Sequence, residues 1–106
     1  MEVADEVRID LRTVSNSHEL HQLLMTALGF PTWYGRNWDA FWDAITGLVH
    51  MPRRLCFAGW TDFEQRLPHE AKHLRDSLSQ MKLDFPAEAP DVAYGRSGTR
   101  PEVASG

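Results

Sequence analysis

Three short apolar stretches, each separated from the next by helix-period sequence, leave this chain few folds to choose from. Val7, Ile9 and Leu11 alternate with Arg8 and Asp10, the pattern of a half-buried strand. Leu55-Cys56-Phe57-Ala58 reads as a second, mostly buried strand and Asp91-Val92-Ala93-Tyr94 as a third. Between the first two lie Leu20, Leu23, Leu24, Ala27 and Leu28, the inward stripe of an amphipathic helix. Asn16 and Glu19 have capping-box spacing at its start, and Gly29 and Pro31 end it. A second helix is expected from its cap at Asn37 to Gly47, with Trp38, Phe41, Ile45 and Leu48 turned inward. Thr61-Asp62-Phe63-Glu64 forms a capping box for a short third helix that Pro68 ends, and Ala71, Leu74, Leu78 and Met81 mark a fourth. Strands separated by helices pair in parallel, so the expected class is α/β: a small three-stranded parallel sheet packed by helices.

At 106 residues there is room for one domain, expected over 1–95. Residues 96–106 are rich in Gly, Ser, Arg and Pro and are expected to form a disordered tail. One cysteine, Cys56, makes an internal disulfide impossible. Met1-Glu2-Val3-Ala4-Asp5-Glu6 is acidic where a signal peptide needs a basic start, and no stretch approaches the ~20 apolar residues of a membrane span. A cytoplasmic protein with no membrane partner is expected. The net charge of −4 argues against nucleic acid as a direct partner and suits a basic one.

Three groups of residues carry chemistry. His69-Glu70-Ala71-Lys72-His73 is a literal H-E-x-x-H, which on a helix can place two histidines on zinc with the glutamate as general base, as in a small zinc hydrolase. Against that, Pro68 puts His69 in the opening turn, Ala71 belongs to the core stripe and so turns His73 toward the surface, and no third histidine follows. The expectation is therefore no metal, no cofactor and no catalytic residue. Cys56, flanked by Leu55 and Phe57, reads as a small hydrophobe, while His18, His21 and His50 read as surface or capping residues.

The third group lies in the second helix. Five aromatic residues (Trp33, Tyr34, Trp38, Phe41 and Trp42) fall within ten positions. Asp39, Trp42, Asp43 and Thr46 follow i, i+3, i+4, i+7 spacing and share one face. Paired acids beside aromatic side chains suit the centre of an interface with a basic partner. Spacing alone leaves open an interaction face, a solvated face or a carboxylate pair with metal or catalytic duty.

The stretch from Leu20 to Gln65 resembles the barstar family, intracellular inhibitors of a secreted bacterial ribonuclease. The resemblance rests on Leu20-His21-Gln22, Leu24, Leu28, Pro31, Tyr34-Gly35, Asn37, Asp39-Ala40, Trp42-Asp43-Ala44, Thr46-Gly47, Val49, Pro52 and Phe63-Glu64-Gln65. It implies a β-α-α-β-α-α-β fold and a non-catalytic inhibitor of a guanyl-specific microbial ribonuclease, bound 1:1. It also implies that Trp33, Gly35, Asn37, Asp39, Trp42, Asp43 and Thr46 meet the enzyme, with Asp43 in its phosphate site. Trp33 stands for a family tyrosine, Trp38 for a leucine and Arg36 for an acid, so the loop is less negative and is expected to meet a different enzyme surface. The family's acidic contact on the fourth helix falls, with gaps, at Asp76 or Gln80.

Overall fold

A computed structural model describes residues 5–95. In chain order the elements are β1 (Glu6–Asp10), α1 (Ser17–Leu28), α2 (Trp38–Asp43) running on as a π-helical segment (Ala44–Leu48), β2 (Arg54–Ala58), α3 (Trp60–Arg66), α4 (Pro68–Asp84) and β3 (Asp91–Tyr94). The strands lie in the order β1-β2-β3 and both pairs are parallel, so the expected α/β class and element order hold. The expected tail at 96–106 and the first residues of the acidic start, 1–4, lie outside the described residues.

The register explains the strand patterns. Val7, Leu55 and Val92 align across the sheet, as do Ile9, Phe57 and Tyr94. Ile9, Leu55 and Phe57 are buried and join Leu20 and Leu24 of α1, Phe41 and Ile45 of the second helix, and Leu74 and Leu78 of α4. Each such side chain contributes about 1.5–3 kcal/mol through removal from water. The alternate residues, Glu6–Arg54–Asp91 and Arg8–Cys56–Ala93, form the other face and are exposed or half-buried. Among the described residues, then, the helices cover one face of the sheet.

Two helix boundaries differ from expectation. The third helix starts at Trp60, not at a Thr61 cap, because Gly59 adopts a left-handed φ of 74° and turns the chain directly out of β2. The second does not stop at Gly47. It widens after Asp43, with the Val49 amide bonding to the Ala44 carbonyl. Thr46 Oγ1 donates to the Trp42 carbonyl at 2.6 Å, and a hydroxyl that takes up that carbonyl competes with the regular ladder there. The widening also turns Leu48 outward, to 45% exposure, where an inward position was expected.

Candidate functional site

The loop between α1 and α2 is held from below by two consecutive residues of α1. Tyr34 is buried, with its hydroxyl 2.6 Å from His21 Nδ1 and its ring 4.8 Å from that of Phe30. Arg36 donates from Nη2 and Nε to Gln22 Oε1 at 2.8 and 3.2 Å. With Tyr34 and Arg36 anchored, Trp33 is thrown outward to 72% exposure and Gly35 is exposed beside it. Arg36 has a φ of 54°, a left-handed conformation that costs a side-chain-bearing residue about 1–2 kcal/mol. Asn37 closes the loop: its Oδ1 accepts from the Ala40 amide at 2.7 Å, capping α2, and its Nδ2 donates to the Gly35 carbonyl at 3.2 Å.

Asp39 and Asp43 are exposed on α2 one turn apart, and neither carboxylate has a hydrogen-bond or ion-pair partner among the described residues. Phe41 and Ile45 on the opposite stripe are fully buried. Trp42 is half-buried, its ring 6.4 Å from that of Phe85, so it borders the acidic face as a partly covered wall. Thr46 is half-buried in the π-helical segment. The seven expected contact residues thus fall on one continuous piece of chain, loop then helix.

The structure corrects the reading of His21 as a surface or capping residue. It is 1% exposed, because i, i+3, i+7 spacing sets it on the same side of α1 as Leu24 and Leu28. Burial holds its imidazole below the ordinary range, with Glu70 opposing that shift and Arg36 adding to it. Burial also pushes the Tyr34 hydroxyl well above the usual phenol range. The sequence signal for a buried His21 is its position in the leucine stripe.

The H-E-x-x-H residues are otherwise occupied. Glu70 Oε1 accepts from the Trp38 indole at 2.9 Å, and the His73 ring stacks on Trp38 at 5.7 Å with an interplanar angle of 13°. His73 is accordingly half-buried and not turned to the surface as expected, while His69 is exposed. Among the described residues no cluster of three His, Cys, Asp or Glu side chains is arranged to hold a metal. Cys56 is half-buried with Sγ 3.8 Å from Glu6 Oε2, and burial pushes its thiol up, away from the thiolate a nucleophile needs. A cleft of about 850 Å³ opens between the π-helical segment and the end of α4, walled by Leu48, Met81, Phe85 and Ala89. Cys56, His69 and His73 do not line it. On α4, Asp76 is paired with Lys72 at 2.6 Å and Gln80 donates to Asp84 at 3.0 Å. No helix among the described residues is long and apolar enough to cross a membrane.

The loop and helix present two carboxylates without a partner among the described residues, between aromatic side chains, on a three-stranded parallel sheet. The family described as Barstar (barnase inhibitor) matches residues 4–94. The chain belongs to the barstar family. Barstar-family proteins are inhibitors and not enzymes. The chain is also similar to a Bacillus subtilis (strain 168) protein named "Putative ribonuclease inhibitor YrdF", at 46% identity over 50 residues. That match covers 47% of this chain and 55% of the relative, so the chain spans about half the length of the curated relative it matches.

Proposed function

We propose that this barstar-family chain inhibits a guanyl-specific microbial ribonuclease by seating the Trp33–Thr46 loop and helix in its active site, protecting the cytoplasm of the cell that makes both. One observation carries the reading: Asp39 and Asp43 are two exposed carboxylates on one helix face, without a hydrogen-bond or ion-pair partner among the described residues. A structural or solubilising role would pair or disperse such charges, since acids one turn apart repel by a few tenths of a kcal/mol.

The physical basis is charge substitution. A ribonuclease holds a phosphate with cationic side chains, so its empty site is a concentrated positive pocket. A carboxylate on a helix takes the phosphate's place and accepts charge-assisted bonds, and no reaction follows. Asp43 occupies the centre, and Asp39, nearer the helix start, supports it. Trp33 and Trp42 supply aromatic contact on either side, while Gly35, Asn37 and Thr46 shape the loop and helix edges. Arg36, held by Gln22, adds a basic contact at the rim. On α4, Gln80 continues the i, i+3, i+10 row of Glu70 and His73, which already touch α2, and that placement makes it a better outer contact than Asp76. One such face per chain gives a 1:1 complex.

The test is titration of purified protein against a guanyl-specific microbial ribonuclease with an RNA cleavage readout. Complete inhibition at one equivalent supports the proposal. Full cleavage in the presence of excess protein contradicts it.

A further inference from the structure

The H-E-x-x-H segment is left without a task by inhibition, and its contacts give it one. Three side chains from two helices converge on the Trp38 side chain. Glu70 Oε1 of α4 accepts the indole N–H at 2.9 Å, His73 of α4 stacks on the ring at 5.7 Å, and His21 of α1 tilts against it at 4.5 Å. Ser17 Oγ, at the start of α1, reaches the same Glu70 oxygen at 3.4 Å. Trp38 is the first residue of α2, between the cap Asn37 and the acid Asp39.

We infer that Glu70 is a positioning residue for partner binding: through the Trp38 indole it fixes the first turn of α2, and so the direction of Asp39 and the closure of the Gly35–Asn37 loop. This rests on the proposed inhibitory face. The chemistry suits the task. An oxygen accepting the indole N–H makes a bond more directional than packing alone, and a half-buried indole left without its partner is costly. Flat stacking of His73 on the ring restricts the remaining freedom of the side chain. A helix of six α-helical residues that gives way to a π-helical segment has little stiffness of its own. Its start needs an outside anchor, and α4 supplies it. Holding the bound geometry in the free protein lowers the ordering cost of association.

The proposal separates Glu70 from an ordinary packing residue through a double-mutant cycle. Affinity for a guanyl-specific ribonuclease is measured for the wild type, Glu70→Ala, Trp38→Phe, the double variant and Glu70→Gln, alongside thermal unfolding of each. Glu70→Ala and Trp38→Phe are each expected to weaken binding by about tenfold, equivalent to about 1.4 kcal/mol. The double variant should be no weaker than either, because both remove one bond. Glu70→Gln keeps an acceptor oxygen and should bind within about twofold of wild type while Glu70→Ala does not. Additive losses, or an affinity for Glu70→Ala equal to wild type, overturn the inference.

If the wild type does not bind the enzyme, the proposed function fails and the anchoring is read in the free protein. The Ala40 and Phe41 amides, which bond to Asn37 Oδ1 and the Asn37 carbonyl at 2.7 and 2.9 Å, report on the first turn by hydrogen exchange. Faster exchange in Glu70→Ala and Trp38→Phe, but not in Glu70→Gln, supports the anchor. Equal exchange in all of them overturns it.

Discussion

His21 Nδ1 and the Tyr34 hydroxyl stand 2.6 Å apart beneath the exposed loop, and both residues are buried. His21 Nε2 is buried without a hydrogen-bond partner among the described residues, so the Tyr34 bond is the ring's one satisfied polar contact there. Tyr34→Phe removes it and leaves the whole imidazole unpaired. The expected cost is about 1–3 kcal/mol of stability, read as a lower urea midpoint. An unchanged midpoint would mean that the pair does not tie the loop to α1.

The same pair makes stability depend on pH. Burial depresses the folded-state pKa of His21 below that of the unfolded chain, so below about pH 6.5 the unfolded state binds more protons. The stability owed to neutral His21 is complete above that pH and is lost as pH falls through the depressed folded value. Unfolding free energy should therefore drop between pH 7 and pH 5, and His21→Leu should flatten that part of the curve. Equal slopes for both proteins would assign the effect to other groups.

Gly59 links β2 to α3 at φ 74°, and a Cβ built there would clash with Arg12 Cγ and lie 3.3 Å from the Arg12 amide nitrogen. Arg12 can swing its side chain away, but the left-handed backbone still penalises any other L-residue by about 1–2 kcal/mol. Gly59→Ala should lower the thermal midpoint by several degrees. A midpoint within one degree of wild type, measured by calorimetry, would show that the turn adapts.

Metal removal is expected to do nothing. Glu70 and His73 are engaged with Trp38, and His69 only meets the His73 ring edge to face at 4.6 Å. Dialysis against a chelator should leave the unfolding curve and any inhibition superimposable on the untreated protein. A chelator-induced loss of either, restored by zinc, would revive the metal reading.

What was legible in the sequence was local. The period-2 pattern of Val7, Ile9 and Leu11, the leucine stripe of α1 and the Asn16 and Asn37 caps depend on neighbours a few residues apart, and each is found where expected. The acidic face was legible for the same reason, since Asp39 and Asp43 lie one turn apart. What was not legible came from distance or from competition. The Trp38–Glu70 bond joins residues 32 positions apart, and no spacing rule links them. The π-helical segment arises because the Thr46 side chain takes the Trp42 carbonyl, a contest that apolar periodicity does not register. His21 departs from the general surface preference of histidine, and its place in the stripe is the one local feature that points inward.

The central claim is that Asp43 is the charge that fills the partner's phosphate site. It is tested most directly by titrating Asp43→Ala against a guanyl-specific microbial ribonuclease beside the wild type and Asp39→Ala. In the complex, truncating Asp43 leaves the enzyme's cations buried without a partner, a loss of about 2–5 kcal/mol. Asp39→Ala should cost less, because that carboxylate lies nearer the helix start and keeps more solvent. Folding of Asp43→Ala should be intact or improved by a few tenths of a kcal/mol once the repulsion with Asp39 is gone. The account predicts that Asp43→Ala fails to inhibit at concentrations where the wild type inhibits completely, with an unfolding midpoint no lower than wild type. Inhibition equal to wild type, or collapse of the fold, would contradict it.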